Sequence, residues 1–142
     1  MKISNDQFKI DDKSILNYYE IKSNKPKLLL LHAQGTNSLS FMGVINKLSK
    51  YFHIYLVDYY GHGKSSFNRE KYNLIDIGND IIKFIEEVIK DNVSVLGHSS
   101  GGLIASYIAS NCELCSGLIL EDPPFFASVG DRRFNTYNYV DL

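Results

Sequence analysis

The sequence predicts an α/β fold with a mostly parallel, doubly wound sheet, helices on both faces and an N-terminal β-hairpin. Two observations predict it. Short, continuously apolar segments of strand length recur along the chain, as is typical of strands in a sheet covered on both faces. Amphipathic segments with helical spacing alternate with them, an order that produces parallel strands joined by right-handed crossovers. Ligands of such sheets bind beyond the carboxyl ends of the strands.

Composition limits the kind of protein that this chain can be. Its 142 residues correspond to one domain over 1–142. The 15 Lys and Arg against 16 Asp and Glu give a net charge of -1, without the basic excess that nucleic-acid binding needs. No apolar run approaches the ~20 residues of a membrane span, and residues 1–6 lack the apolar core of a secretion signal. We therefore expect a cytoplasmic protein without a membrane span.

The first half of the chain predicts a hairpin, two strands and one helix. Alternating segments at 7–10 and 15–21 form the hairpin. Buried strands follow at 28–31 and 54–57, and the second ends at Asp58. Ser38 or Ser40 is predicted to cap the helix between these strands. The buried stripe of this helix has i, i+3, i+4, i+7 spacing: Phe41, Val44, Ile45 and Leu48.

The second half continues the alternation. Residues 59–72 are polar and read as loop, and Asn73 can cap a long amphipathic helix. The buried side of that helix carries Leu74, Ile77, Ile81, Ile85 and Val88. Strand 93–96, a helix from about Ser100 and strand 118–120 complete the pattern, and Pro123–Pro124 stops the last strand.

The motif that indicates chemistry lies between a buried strand and a helix. Gly97-His98-Ser99-Ser100-Gly101-Gly102 matches G-x-S-x-G, a sharp turn that presents a serine hydroxyl above the sheet. The flanking glycines leave room where strand and helix backbones approach each other. The alternative is an ordinary tight turn with an incidental serine. The position of Ser99 between strand and helix favours a nucleophile.

Three stretches together resemble the serine-hydrolase type of the α/β-hydrolase fold family, in its N-terminal portion. Residues 28–38 resemble the strand and His-Gly-x-Gly loop, although Ala33 replaces the usual glycine. Residues 56–65 resemble the Asp-x-x-Gly-His-Gly-x-Ser stretch, and residues 95–102 resemble the nucleophile turn. Their order along the chain is more specific than any one motif.

The resemblance implies an activity and a set of site residues. Ser99 is then the nucleophile, and the backbone N–H groups of Ser100 and Gln34 are the donors of an oxyanion hole. The implied reaction is acyl transfer from a small-molecule substrate with an ester, thioester, amide or activated C–C bond. It requires no metal and no cofactor.

The catalytic acid and base are less well defined. In the family, the chain order is nucleophile, acid, histidine, yet all four histidines precede Ser99 at positions 32, 53, 62 and 98. We therefore expect a chain that is incomplete at its C-terminus, with about 127–142 as the start of a cap or linker. Asp122 is a candidate acid, although a turn residue before Pro123 is the preferred interpretation.

The absent base leaves a second function open. The chain is then a catalytically incomplete fragment or a non-enzymatic binding scaffold. A sheet that ends early also exposes an edge, through which the chain could associate with a partner or with its missing C-terminal half.

Two further motifs are interpreted as structural. Gly61-His62-Gly63-Lys64-Ser65 resembles the end of a phosphate-binding loop, but Asp58 stands where that loop requires its first glycine. Cys112 and Cys115 form a C-x-x-C pair without the further ligands that a structural zinc site needs.

Overall fold

A computed structural model describes residues 2–125 of the chain. In this part, the strands are β1 (Ser4–Lys9), β2 (Ile15–Ile21), β3 (Lys27–Leu31), β4 (His53–Asp58), β5 (Val93–His98) and β6 (Cys115–Glu121). The helices are α1 (Met42–Leu48), α2 (Leu74–Phe84) and α3 (Ser100–Asn111). A 3-10 turn (Ser38–Phe41) precedes α1, and a π-helical turn (Ile85–Ile89) extends α2. Segment 127–142, predicted as the start of a cap or linker, lies outside the described residues.

The strands form one sheet in the order β1-β2-β4-β3-β5-β6. The four strands β4, β3, β5 and β6 run parallel, whereas the β1–β2 hairpin joins antiparallel to β4. The predicted fold class, with its N-terminal hairpin, is therefore confirmed.

Alternate side chains of the central strands enter two separate cores. On one face, Leu29 and Leu31 of β3 pack with Ile81 of α2 and Ile104 of α3. On the other face, Leu28 and Leu30 pack with the 3-10 turn and α1. Since strand side chains alternate between faces, an unbroken leucine run fills both cores. This arrangement explains why all four positions of β3 after Lys27 are leucine.

β6 is an edge strand within the described part of the chain. Leu118, Ile119 and Leu120 are 40%, 46% and 37% exposed, so neither face of the strand is fully covered. The association predicted for this edge stays a prediction.

The helices differ from the sequence prediction in three details. Asn37, rather than Ser38 or Ser40, caps the first helical turn by accepting a hydrogen bond from Leu39 N at 3.0 Å. That turn is 3-10, with 3.0 rather than 3.6 residues per turn, so Phe41 and Val44 do not have the relative orientation that α-helical spacing assumes, and Val44 is 46% exposed instead of buried. The long second helix changes to π geometry at Ile85–Ile89.

The predicted start of α2 is confirmed. Asn73 caps this helix by accepting a hydrogen bond from Asp76 N at 2.8 Å. An Asn side chain at this position satisfies a backbone N–H that has no partner within the helix.

Candidate active site

The candidate site lies where the direction of strand addition reverses. β3 pairs with β4 on one side and with β5 on the other. The connections after β3 and β5 therefore leave the sheet in opposite directions and open a crevice at their carboxyl ends. The loop at 32–37 follows β3, and Ser99 follows β5. The structure thus brings the predicted nucleophile beside the predicted donor loop.

Ser99 has a strained backbone. Its φ of 53° and ψ of -120° lie in a region that L-residues rarely occupy. The turn is held on both sides, because Ser99 N donates to Glu121 O at 2.8 Å and Gly102 N donates to Ser99 O at 2.8 Å. Ser99 itself is half-buried. Backbone strain of this kind concentrates at functional sites.

The two predicted oxyanion donors are linked by a hydrogen bond. Gln34 N donates to Ser100 Oγ at 2.6 Å. The N–H of Ser100, the first residue of α3, has no partner within the helix. The loop that carries Gln34 is a tight turn in which Thr36 N donates to Ala33 O at 3.2 Å, with Gly35 at a φ of 76°. Ala33 in place of the family's glycine therefore leaves the turn intact.

Tyr59 joins this pair of residues and was not singled out from the sequence. Its hydroxyl lies 3.1 Å from Ser100 Oγ, and its side chain is buried. Burial raises the pKa of Tyr59 to about 12, against a smaller opposing effect of the Ser100 hydrogen bond. The group is thus a protonated hydroxyl at neutral pH. Its position immediately after β4 was the signal available in the sequence.

His32 is a neutral, buried ring. Burial, and secondarily the neighbouring His62, lower its pKa to about 4. Its ring stacks on Tyr59 with centroids 4.1 Å apart, and its Nδ1 contacts Ala33 O at 2.8 Å. His32 therefore supports the donor loop through its ring.

The remaining histidines have other contacts. His62 Nδ1 lies 3.2 Å from Tyr60 O. His53, at the opposite end of the sheet, pairs with Glu20 at 2.8 Å. Within residues 2–125, no histidine forms a hydrogen bond with Ser99 Oγ.

Asp58 connects the loops around the site. Its carboxylate accepts hydrogen bonds from Ser38 N at 2.8 Å, Lys64 N at 3.0 Å and Asn17 Nδ2 at 3.1 Å. Burial would raise the pKa of Asp58, but these hydrogen bonds outweigh it and lower the pKa below its ordinary value. A Cβ on Gly63 would lie 2.2 Å from this carboxylate. Gly63 and Lys64 of the Asp-x-x-Gly-His-Gly-x-Ser stretch are thus explained by packing around this buried charge.

The other predicted residues are placed as follows. Asp122 directly follows β6, is exposed and has a φ of 49°, a backbone suited to a turn. Cys112 is buried and Cys115 begins β6, both as free thiols. In the described part of the chain, no group of three or more His, Cys, Asp or Glu is arranged to hold a metal ion. No helix between residues 2 and 125 has the length and apolarity to cross a bilayer.

Comparison with known proteins identifies the family. A family model described as alpha/beta hydrolase fold matches residues 26–141. The chain belongs to this family. A Haemophilus influenzae protein provisionally named an esterase/lipase is 34% identical over 125 residues, which are 84% of this chain and 43% of that protein. A human serine hydrolase-like protein is 31% identical over 117 residues, 80% of this chain and 58% of that protein.

A solved structure supports the same fold. A hydrolase from Pseudomonas aeruginosa superimposes with a TM-score of 0.79 at 24% identity, over 84% of this chain and 46% of that one. The chain thus spans less than two thirds of the length of each of these α/β-hydrolase relatives.

Proposed function

We propose that the protein is a serine hydrolase that transfers acyl groups through Ser99. The observation that carries this proposal is the strained turn at Ser99, with a φ of 53° between β5 and α3. The expected substrate is a small molecule with an ester, thioester or amide bond. The esterase, lipase and serine-hydrolase names of the relatives agree with this class.

The reaction follows from the geometry in two steps. Ser99 Oγ attacks the acyl carbonyl carbon and forms a C–O bond, while its proton passes to a base. The carbonyl oxygen becomes an anion, which the Ser100 N–H stabilises, together with the Gln34 N–H once it exchanges its bond to Ser100 Oγ for one to the anion. The bond to the leaving group breaks as that group accepts the proton. Water then attacks the acyl–Ser99 ester and releases the acid.

The base is the component that residues 2–125 do not supply. A serine hydroxyl is a weak nucleophile without an adjacent base, and none of the four histidines bonds to Ser99 Oγ. Asp122 remains the candidate for the acid that orients the base, because it leaves β6 beside the Ser99 turn.

Ester hydrolysis by the full protein tests the proposal. Short-chain p-nitrophenyl esters serve as substrates, with Ser99→Ala as the test variant and Ser106→Ala, in the middle of α3, as the matched control. We expect Ser99→Ala to lower kcat by at least about a thousandfold and Ser106→Ala to change it little. Equal turnover by the wild type and Ser99→Ala would contradict the proposal.

A second candidate is that residues 1–142 alone form a catalytically incomplete fragment or a binding scaffold. The absence of a histidine at Ser99 Oγ within the described residues favours it. Turnover by the isolated 142-residue chain, abolished by Ser99→Ala, would eliminate this candidate.

A further inference from the structure

We propose that Ser100 is a positioning residue whose side-chain oxygen occupies the Gln34 N–H until an anion displaces it. Gln34 then contributes to the oxyanion hole only once negative charge has developed on the substrate. The inference rests on the proposed serine hydrolase function, because Gln34 acts as an oxyanion donor only in that reaction.

The Gln34 N–H already has a partner within the protein. It donates its one hydrogen to Ser100 Oγ at 2.6 Å, which is short for an N–H···O hydrogen bond. Ser100 is 2% exposed, whereas Gln34 is exposed. The acceptor is therefore shielded from water, while the residue that carries the donor faces solvent. An incoming substrate oxygen can bond to the Gln34 N–H only by taking it from Ser100 Oγ.

A second contact fixes the position of Ser100 Oγ. The Tyr59 hydroxyl lies 3.1 Å from it, and the Tyr59 ring stacks on His32 with centroids 4.1 Å apart. Whichever of the two hydroxyls donates in this contact, Ser100 Oγ can still accept from Gln34, because a hydroxyl oxygen has two acceptor sites. The competing acceptor is thus held in one place beside the donor loop.

The charge of the incoming oxygen decides whether it displaces Ser100 Oγ. A neutral ester carbonyl and a hydroxyl are acceptors of similar strength, so the bound ester gains little from the exchange. A hydrogen bond to a charged oxygen is about twice as strong, so the tetrahedral anion does gain. The Gln34 N–H therefore stabilises the transition state more than the bound ester, which is the condition for accelerating the reaction.

The donor loop is also held by contacts that do not involve Ser100. Ala33 O accepts hydrogen bonds from Thr36 N at 3.2 Å and from Thr36 Oγ1 at 2.7 Å, and His32 Nδ1 lies 2.8 Å from the same oxygen. Removal of the Ser100 hydroxyl should thus free the Gln34 N–H without unfolding the turn that carries it.

Ser100→Ala in the full protein tests this role, because it keeps the Ser100 backbone N–H and removes the competing acceptor. We expect kcat/KM for p-nitrophenyl acetate to rise about fivefold, equivalent to the net strength of one hydrogen bond, about 1 kcal/mol. The gain should appear as a lower KM with kcat within about twofold, because the freed N–H then also bonds to the bound ester. Ser106→Ala, in the middle of α3, is the matched control and should leave both constants unchanged.

The binding of phenylboronic acid, measured by calorimetry, provides a readout that does not depend on turnover. Its boron accepts the Ser99 oxygen to form an anionic tetrahedral adduct, and the hydroxyl proton passes to the base. In the wild type this adduct must also take the Gln34 N–H from Ser100 Oγ. The dissociation constant should therefore fall in Ser100→Ala by about the factor by which kcat/KM rises.

A purely structural role of the Ser100 hydroxyl gives the opposite sign. If it only held the donor loop in place, Ser100→Ala would lower kcat/KM and weaken the boronic acid. Unchanged or lower kcat/KM, a rise carried by kcat alone, or boronic acid affinity that does not improve each overturns the proposal.

Two controls keep the outcomes separate. If Ser99→Ala retains full turnover, the proposed function fails, and the Ser100 inference fails with it. If Ser99→Ala is inactive but Ser100→Ala shows no gain in kcat/KM, only the Ser100 inference fails. If Ser100→Ala does not fold because the buried Tyr59 hydroxyl loses its partner, the double variant Tyr59→Phe/Ser100→Ala decides: a rise in kcat/KM supports the proposal, and no rise overturns it.

Discussion

Gly101 of α3 lies directly against the backbone carbonyl of Leu31 at the end of β3. A Cβ built on Gly101 would come within 2.3 Å of that carbonyl oxygen, and one on Gly97 within 2.2 Å of Gly101 O. Real side-chain carbons do not approach a backbone oxygen so closely. The two glycines therefore let α3 begin close to β3 and β5, and this closeness produces the strained backbone of Ser99.

Alanine substitutions test this steric account. Gly97→Ala and Gly101→Ala should each lower the free energy of unfolding by about 2–3 kcal/mol or more, because backbone atoms must move to admit the methyl group. The matched control is Gly43→Ala in α1, where an added Cβ meets nothing within 4 Å. It should be neutral or stabilising by about 0.5–1 kcal/mol. Urea unfolding measures the free energy of unfolding of the three variants. Equal changes at the three sites would contradict the steric account.

The buried carboxylate of Asp58 predicts a loss of stability on substitution. In Asp58→Asn, the amide places a donor against Ser38 N–H or Lys64 N–H, both of which donate to Asp58. We expect a loss of about 2 kcal/mol or more, whereas Asp12→Asn at an exposed position should cost little. Urea unfolding at pH 7 makes the comparison.

The lowered pKa of Asp58 also determines how the stability that this carboxylate contributes changes with pH. The folded state holds the pKa of Asp58 below its ordinary value, so the stabilisation is complete above about pH 4 and is lost as pH falls through the lower, folded-state pKa. The difference between wild type and Asp58→Asn should therefore shrink only below pH 4. A difference that shrinks between pH 7 and 5 would contradict this assignment.

The lowered pKa of His32 predicts that stability also depends on pH above the range in which Asp58 titrates. Its folded-state pKa is about 4, whereas that of the unfolded chain is about 6.5. Between these values the unfolded state binds a proton that the folded state does not, so stability falls as pH falls, by at most about 1.4 kcal/mol per pH unit. From pH 7.5 to 5.0, wild type should lose about 2 kcal/mol more than His32→Asn.

Chemical denaturation at the two pH values provides this comparison. The other three histidines, His53, His62 and His98, are present in both proteins, so most of the pH effect that does not come from His32 cancels in the difference. Identical losses in wild type and His32→Asn would show that His32 titrates normally in the folded state.

The sheet and the strained turn at Ser99 were predictable because their signals are local. The apolar run at 28–31 has the length and composition of a buried strand, and the glycines around Ser99 fit a strand-to-helix turn whatever the distant sequence does. The cap at Asn73 is equally local, since its side chain bonds to Asp76 N three residues later.

The features that the sequence did not reveal depend on distant contacts. The Gln34–Ser100 hydrogen bond joins residues 66 apart, and the Tyr59–Ser100 contact joins residues 41 apart. Neither spacing has a periodic signature, because loops after different strands meet only once the sheet has formed. The exposure of Val44 was missed for another reason: a 3-10 turn changes the helical phase that the spacing rule assumes.

Covalent labelling of Ser99 tests the central claim most directly. The full protein is treated with a fluorophosphonate, digested, and the modified peptide identified by mass spectrometry, with Ser99→Ala treated in parallel. We predict one adduct, on Ser99 rather than on the adjacent Ser100, and none in Ser99→Ala. An unmodified Ser99, or labelling that persists in Ser99→Ala, would contradict the assignment of this hydroxyl as the nucleophile.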